Sequence, residues 1–179
     1  MKKSLNILLA VVLIWGLTGC GGSPAQSDPS SQSSQNISSS EQTEEKVFKM
    51  GETWTVDGQW SLTVNSVEEV SERNPYDERN PAAVYIVNYT YTNLGYKDEN
   101  GIMDGLFFGM DNTIVDSANV MGYSYPGEIT NYPTEVPNGA TCNAQSCIGV
   151  ENKGSFQITQ TLYDGNGNKQ TATFIIETE

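Results

Sequence analysis

The sequence predicts an all-β fold, a sandwich of seven or eight strands with little or no helix, and three observations carry that expectation. Short runs alternate apolar and polar residues with a period of two, as half-buried strands do. Beyond the N-terminal segment, no window of about a dozen residues holds an apolar stripe at helical spacing. Clusters of Gly, Asn, Asp and Pro divide the runs at short, fairly regular intervals. Two sheets that each bury one face against the other are the economical way to pack such strands.

The chain begins with Lys2 and Lys3, then an apolar run over 7–17 that ends in Leu17, Thr18, Gly19 and Cys20. A positive start and about eleven apolar residues fit a secretory signal, whereas a spanning helix needs about 20. The last four residues resemble a lipobox, which implies that residues 1–20 form a lipoprotein signal peptide and that the Cys20 thiol takes the lipid. Attachment at Cys20 would hold the mature chain to the outer face of a bacterial, Gram-positive cell membrane, tethered rather than embedded. Residues 21–45 are rich in Ser and Gln, with Ile37 the one large aliphatic residue. They bury too little apolar surface to offset chain entropy and read as a disordered linker, with a recognition element or a glycosylated stalk as the alternative.

Residues 46–179 suit one domain with a sizeable core. Short strands are expected at 47–50 and 53–56. In the next run Trp60, Leu62 and Val64 alternate with Ser61, Thr63 and Asn65. The segment 84–93 is the most strand-like: Tyr85, Val87, Tyr89 and Tyr91 share one face, placed inward, and Val84, Ile86, Asn88 and Thr90 the other. Further strands are expected at 105–110, 113–115 and 140–150. Phe156, Ile158 and Leu162, then Ala172, Phe174 and Ile176, flank Asp164 to Asn168 and make a closing hairpin about a Gly/Asn turn.

Gly51-Glu52-Thr53-Trp54, the Trp60–Val64 run, the 85–93 run and Pro137-Asn138-Gly139 before a strand together resemble the immunoglobulin-like domains of many Gram-positive secreted lipoproteins. The resemblance implies an immunoglobulin-like sandwich related to secreted immunogenic proteins and carries no set of catalytic residues. The loop 74–81 and the tyrosine-rich stretch after Val120 depart from it.

Composition narrows the function. Lys2 and Lys3 are two of nine basic residues, so loss of the signal leaves seven against 22 acidic ones, a net charge of −15. Nucleic acid and anionic lipid surfaces would repel such a chain. The sequence contains no histidine, which removes the commonest general base, the usual nucleophilic triads and the usual zinc ligands. Two facing Asp or Glu carboxylates in a deep cleft are the remaining catalytic alternative, but any acidic domain offers many such pairs, so no enzyme activity, cofactor or metal is expected. Asp164, Asn166 and Asn168 occupy positions 1, 3 and 5 of a nominal calcium loop, but Lys169 and Ile175 stand where its glycine and bidentate acid belong. The oxygens of 98–104 match no loop spacing and suit a solvated turn.

Cys142 and Cys147 are the remaining cysteines, and an oxidising compartment favours a disulfide between them. A continuous strand would hold their Cα atoms about 16 Å apart and on opposite faces, so bonding needs a turn or bulge through 143–146. Two separate thiols, one buried, are the alternative. Tyr123, Tyr125 and Tyr132, among Pro126, Pro133 and Pro137, offer stacking area and hydroxyls at small entropic cost and are the candidate contact residues for a protein or glycan. Packing over an open end of the sandwich explains the same residues. The loop 72–81, with Glu-Arg-Asn-Pro twice, is either a second contact site or a solvated crossover. The leading expectation is a membrane-tethered, non-enzymatic interaction module for an unknown protein or cell-wall partner. The alternatives are a carbohydrate-binding domain that uses the tyrosine loop and a structural accessory of an envelope assembly.

Overall fold

The computed structural model describes residues 46–98 and 105–178, all within one compact unit, Ser40–Glu179. The signal segment, Cys20, the 21–45 linker and residues 99–104 lie outside the described residues. The described residues form nine strands and no helix: β1 (Lys46–Lys49), β2 (Thr53–Val56), β3 (Trp60–Val70), β4 (Ala83–Asn93), β5 (Thr113–Asp116), β6 (Tyr123–Ser124), β7 (Thr141–Val150), β8 (Phe156–Tyr163) and β9 (Lys169–Ile176). They make two sheets, one ordered β1-β9-β8-β5 and the other β2-β3-β4-β7-β6. All the pairings are antiparallel except that of β1 with β9. The protein is an all-β sandwich.

Strand β4 supplies the centre of the core because its inward face is aromatic, as the alternation predicts: Tyr85, Val87, Tyr89 and Tyr91 are buried. Trp54 and Trp60 meet edge-to-face at 5.4 Å between centroids, and Phe108 stands edge-on to both at 6.0 Å. Each such contact adds about 0.5–1.5 kcal/mol to the area it buries. The opposite sheet contributes Ile114, Phe156, Ile158, Phe174 and Ile176.

Two elements differ from the pattern read in the sequence. Leu106, Phe108 and Met110 point into the core as a strand at 105–110 would place them, but only Leu106 finds a ladder partner, in an isolated bridge to Val136. Strand β3 continues past Asn65 to Val70, because a register shift between Val64 and Ser66 leaves Asn65 as an extra residue. The bulge moves every later side chain to the other face. Val67, opposite Val87, faces the core, while Val70, opposite Val84, faces outward. The closing hairpin forms as expected: Gly167 has a φ of 77° and the Asp164 N–H donates to the Asn168 carbonyl at 2.9 Å.

Candidate binding groove

The outer face of the five-stranded sheet changes character along its length. At one end it is a polar ladder: Thr53 pairs with Thr63, Thr92 with Thr141, and Asn65 reaches Asn143 through Thr90, with hydroxyl and amide contacts of 2.8 Å. At the other end it turns apolar. Register places Val70 beside Val84, and Ile86 beside Cys147, all four facing away from the main core.

Two loops rise on either side of this apolar strip and leave a groove of about 530 Å³ between them. One wall is 72–76, where the chain leaves β3, and the other is 125–128, where it leaves β6. The walls are tied together. The Asn74 N–H donates to the Tyr125 hydroxyl and the Asn74 side-chain amide to the Pro126 carbonyl, each at 2.8 Å. Gly127 lies so close over Cys147 that a Cβ there would overlap Sγ, which is why a glycine occupies the position. A second hollow, of about 320 Å³, shares Tyr125, Pro126, Gly127 and Cys147 and brings in the exposed rings of Phe107 and Tyr132.

Charge in the groove is uneven. Glu72 and Glu128 are exposed where they line it, whereas Arg73 is half-buried and donates from Nη1 to the carbonyls of Val70 and Glu72. Burial pushes the Cys147 thiol up, an effect that the Gly127 amide and the Arg73 guanidinium only partly offset. A neutral thiol at the floor behaves as one more apolar group.

The sequence-read site residues do not gather into one surface. Tyr125 is buried in the satellite cluster with Val84 and Cys147, its hydroxyl held by Asn74. Tyr123 is half-buried, with the Arg79 guanidinium 4.3 Å from its ring centroid, and Arg79 is itself paired with Asp77 at 2.6 Å. Only Tyr132 is well exposed, at 66 %. The expected disulfide does not form: β7 runs unbroken through both cysteines, so Cys142 faces the main core and Cys147 the groove, both as free thiols. Burial alone would raise the Cys142 thiol, but the Tyr91 hydroxyl and the backbone and hydroxyl of Thr134 outweigh it and hold the group below its ordinary value.

Asp164, weighed in the sequence as a calcium ligand, caps the closing turn instead. Its Oδ1 accepts the N–H groups of Asn166 and Asn168 at 2.9 Å, and its Oδ2 accepts the side-chain amides of Asn168 and Gln170 at 3.3 and 3.0 Å. Among the described residues, no group of three or more His, Cys, Asp or Glu side chains is arranged to hold a metal ion.

The loop 72–81, read as a contact site or a crossover, gives its first half to the groove wall, while its second half pairs Asp77 with Arg79. The groove floor was missed. Its signal is the start of β4, where Ala83, Val84, Tyr85, Ile86 and Val87 are apolar on both faces, a pattern that marks a strand covered on two sides.

No family model matches the chain, and no curated protein matches it. Solved structures do. The chain overlays ycdA, a candidate lipoprotein from Bacillus subtilis, with a TM-score of 0.50 and 17 % identity over 67 % of this chain and 37 % of that one. It therefore spans little more than a third of that protein's length, and the likeness is one of fold. Looser overlays are with the yjhA protein from Bacillus subtilis, with a TM-score of 0.46 and 14 % identity over 70 % of this chain and 98 % of that one. The secreted protein MPT63 from Mycobacterium tuberculosis gives a TM-score of 0.49 and 12 % identity over 75 % of this chain and 98 % of that one.

Proposed function

We propose that this protein is a membrane-tethered extracellular lipoprotein whose immunoglobulin-like domain binds a partner without catalysis, through the groove on the outer face of its five-stranded sheet. The observation that carries the reading is the apolar floor of Val70, Val84, Ile86 and Cys147, set outside the sandwich core on a face whose other end is a hydroxyl and amide ladder. Val84 and Cys147 are buried there with Tyr125, while Val70 and Ile86 stay half-exposed and give the groove its accessible apolar surface. Concave, mostly apolar sites with a few polar groups are the usual form of a ligand pocket.

The immunoglobulin-like assignment rests on strand order. Counting from β3, the order β3-β4-β7-β6 opposite β5-β8-β9 corresponds to A-B-E-D over C-F-G of a constant-type domain, with β1 added in parallel beside the last strand. The lipid anchor rests on Leu17 to Cys20, and the likeness to ycdA agrees with it. The absence of histidine removes the commonest general base and the usual nucleophilic triads, which supports a role in binding. The glycan reading is the weaker one, since Tyr125 is buried and Arg79 covers Tyr123, which leaves Tyr132, beside Phe107 in the second hollow, as the exposed ring of the three.

A photo-crosslinking residue placed at Tyr76, 93 % exposed on the groove rim, should capture a defined species on intact cells. The same group at Thr161, exposed on the other sheet, should not. Equal capture at both positions, or none at Tyr76, overturns the groove as the binding surface. Mass spectrometry of the native protein should find a lipidated Cys20 at its amino end, and a bare Cys20 thiol on protein released into the medium overturns the anchor.

A further inference from the structure

Arg73 is out of place in its surroundings. The chain carries 22 acidic residues against nine basic ones, and the described ion pairs join Arg79 to Asp77 and Lys153 to Glu69. Arg73 has no such partner: among the described residues, no carboxylate lies within 4.0 Å of its nitrogens. Only Nη1 is engaged, by two backbone carbonyls, so the guanidinium is fixed at one corner while Nε and Nη2 have no acceptor among the described residues. A planar fork held at one corner is suited to a carboxylate, which it can meet with two parallel hydrogen bonds.

We propose that the groove takes a short apolar peptide by its free C-terminal carboxylate, with Arg73 as the carboxylate's partner. This rests on the groove being the binding surface and names its occupant. Half-exposed Val70 and Ile86, backed by Val84 and Cys147 that are buried with Tyr125, receive apolar side chains, and about 530 Å³ lies within the range of roughly 300–1,000 Å³ typical of small-ligand sites. Glu72 and Glu128 decide between ligand classes. Two exposed carboxylates on the rim repel a simple fatty acid but complement the ammonium at the other end of a zwitterionic peptide. The walls are ready-made, because Asn74 ties one to the other and Pro75 and Pro126 stiffen them, so little ordering cost falls on binding.

Calorimetric titration of the full chain with the tripeptide Ala-Leu-Val, its C-terminal amide, its N-acetyl form and decanoate tests the assignment. The free tripeptide should bind, amidation should weaken it roughly tenfold to a hundredfold, and N-acetylation should weaken it less. Arg73→Gln should bring the free acid down to the affinity of the amide while leaving the amide unchanged. Equal binding of acid and amide, no binding of any peptide, or preference for decanoate overturns the proposal. If Arg73→Gln does not fold, the comparison of acid with amide on the unaltered chain decides alone. Crosslinking at Tyr76 that succeeds while every peptide fails leaves the groove as a contact surface and refutes its peptide occupant.

Discussion

Replacing Asp116 with alanine removes the acceptor of four hydrogen bonds at once. Its Oδ1 takes the N–H groups of Ala118 and Val120, and its Oδ2 takes the N–H and side-chain amide of Asn152, each at 2.9 Å. The side chain ends β5 in one sheet and reaches the turn that follows β7 in the other, so it fastens the layers at one end. A hydrogen bond to a charged group contributes about 1.5–3 kcal/mol. Water can replace part of each bond in a turn, and neighbouring bonds do not add, so about 1 kcal/mol per bond, or about 3–5 kcal/mol in all, is the expected loss. That corresponds to a fall in Tm of roughly 10–20 °C, readable by thermal melts or by urea unfolding followed through tryptophan fluorescence.

The pH dependence supplies a second reading of the same group. Burial would raise the carboxyl, but the Asn152 side chain and the amides of Val120, Ala118 and Asn152 outweigh burial and leave it lowered. With its folded value below the unfolded one, near 3.9, the group's contribution is complete above about pH 4 and is lost as pH falls through the folded value. The gap between the unaltered protein and Asp116→Asn should therefore narrow below about pH 4. An alanine variant within about 1 kcal/mol of the unaltered protein, or a gap that stays constant into acid, refutes the reasoning.

Gly127→Ala should cost about 1–3 kcal/mol by driving its Cβ into Cys147 Sγ, and adding Cys147→Ala should restore part of the loss; a double variant no more stable than Gly127→Ala in urea shows that backbone freedom, not space, demands the glycine. In alkali, the buried hydroxyls of Tyr89 and Tyr91 are raised, Tyr89 to about 12, above all by burial. Because the unfolded value is near 10, their contribution to stability is intact below about pH 10 and is lost above it, so ultraviolet titration should show both ionising only as the protein unfolds. Reversible ionisation of both near pH 10 in the folded protein contradicts the burial argument.

The sandwich was legible because its inner faces obey a simple period. Tyr85 to Tyr91 and Phe156 to Ile176 read correctly since alternation depends only on which face is dry. The second half of β3 was not legible, because the bulge at Asn65 reverses the phase and makes Val67 and Val70 look unrelated to Leu62 and Val64. Strand β6 has only two residues, Tyr123 and Ser124, too few to show a period inside a loop rich in proline. The tyrosines drew attention as potential contact residues on composition alone, whereas the side chains that line the groove floor are ordinary aliphatics whose meaning depends on register.

That register gives the groove its significance. Were Asn65 to pair in a regular ladder instead of bulging out, Val70 would fall on the inner face with Leu62 and Val64, and the outer strip would lose one edge. The bulge, the small residue at Gly127 and the two bonds from Asn74 are each local departures from a plain sandwich, and all three act on the same end of the same face. A single bulge or a single close-packed glycine is commonly a matter of strand twist or loop packing. Three that converge on Val70 and Ile86 between braced walls, beside an arginine with no acidic partner among the described residues, shape a surface for something outside the chain, since the core gains nothing from keeping those two side chains half-exposed.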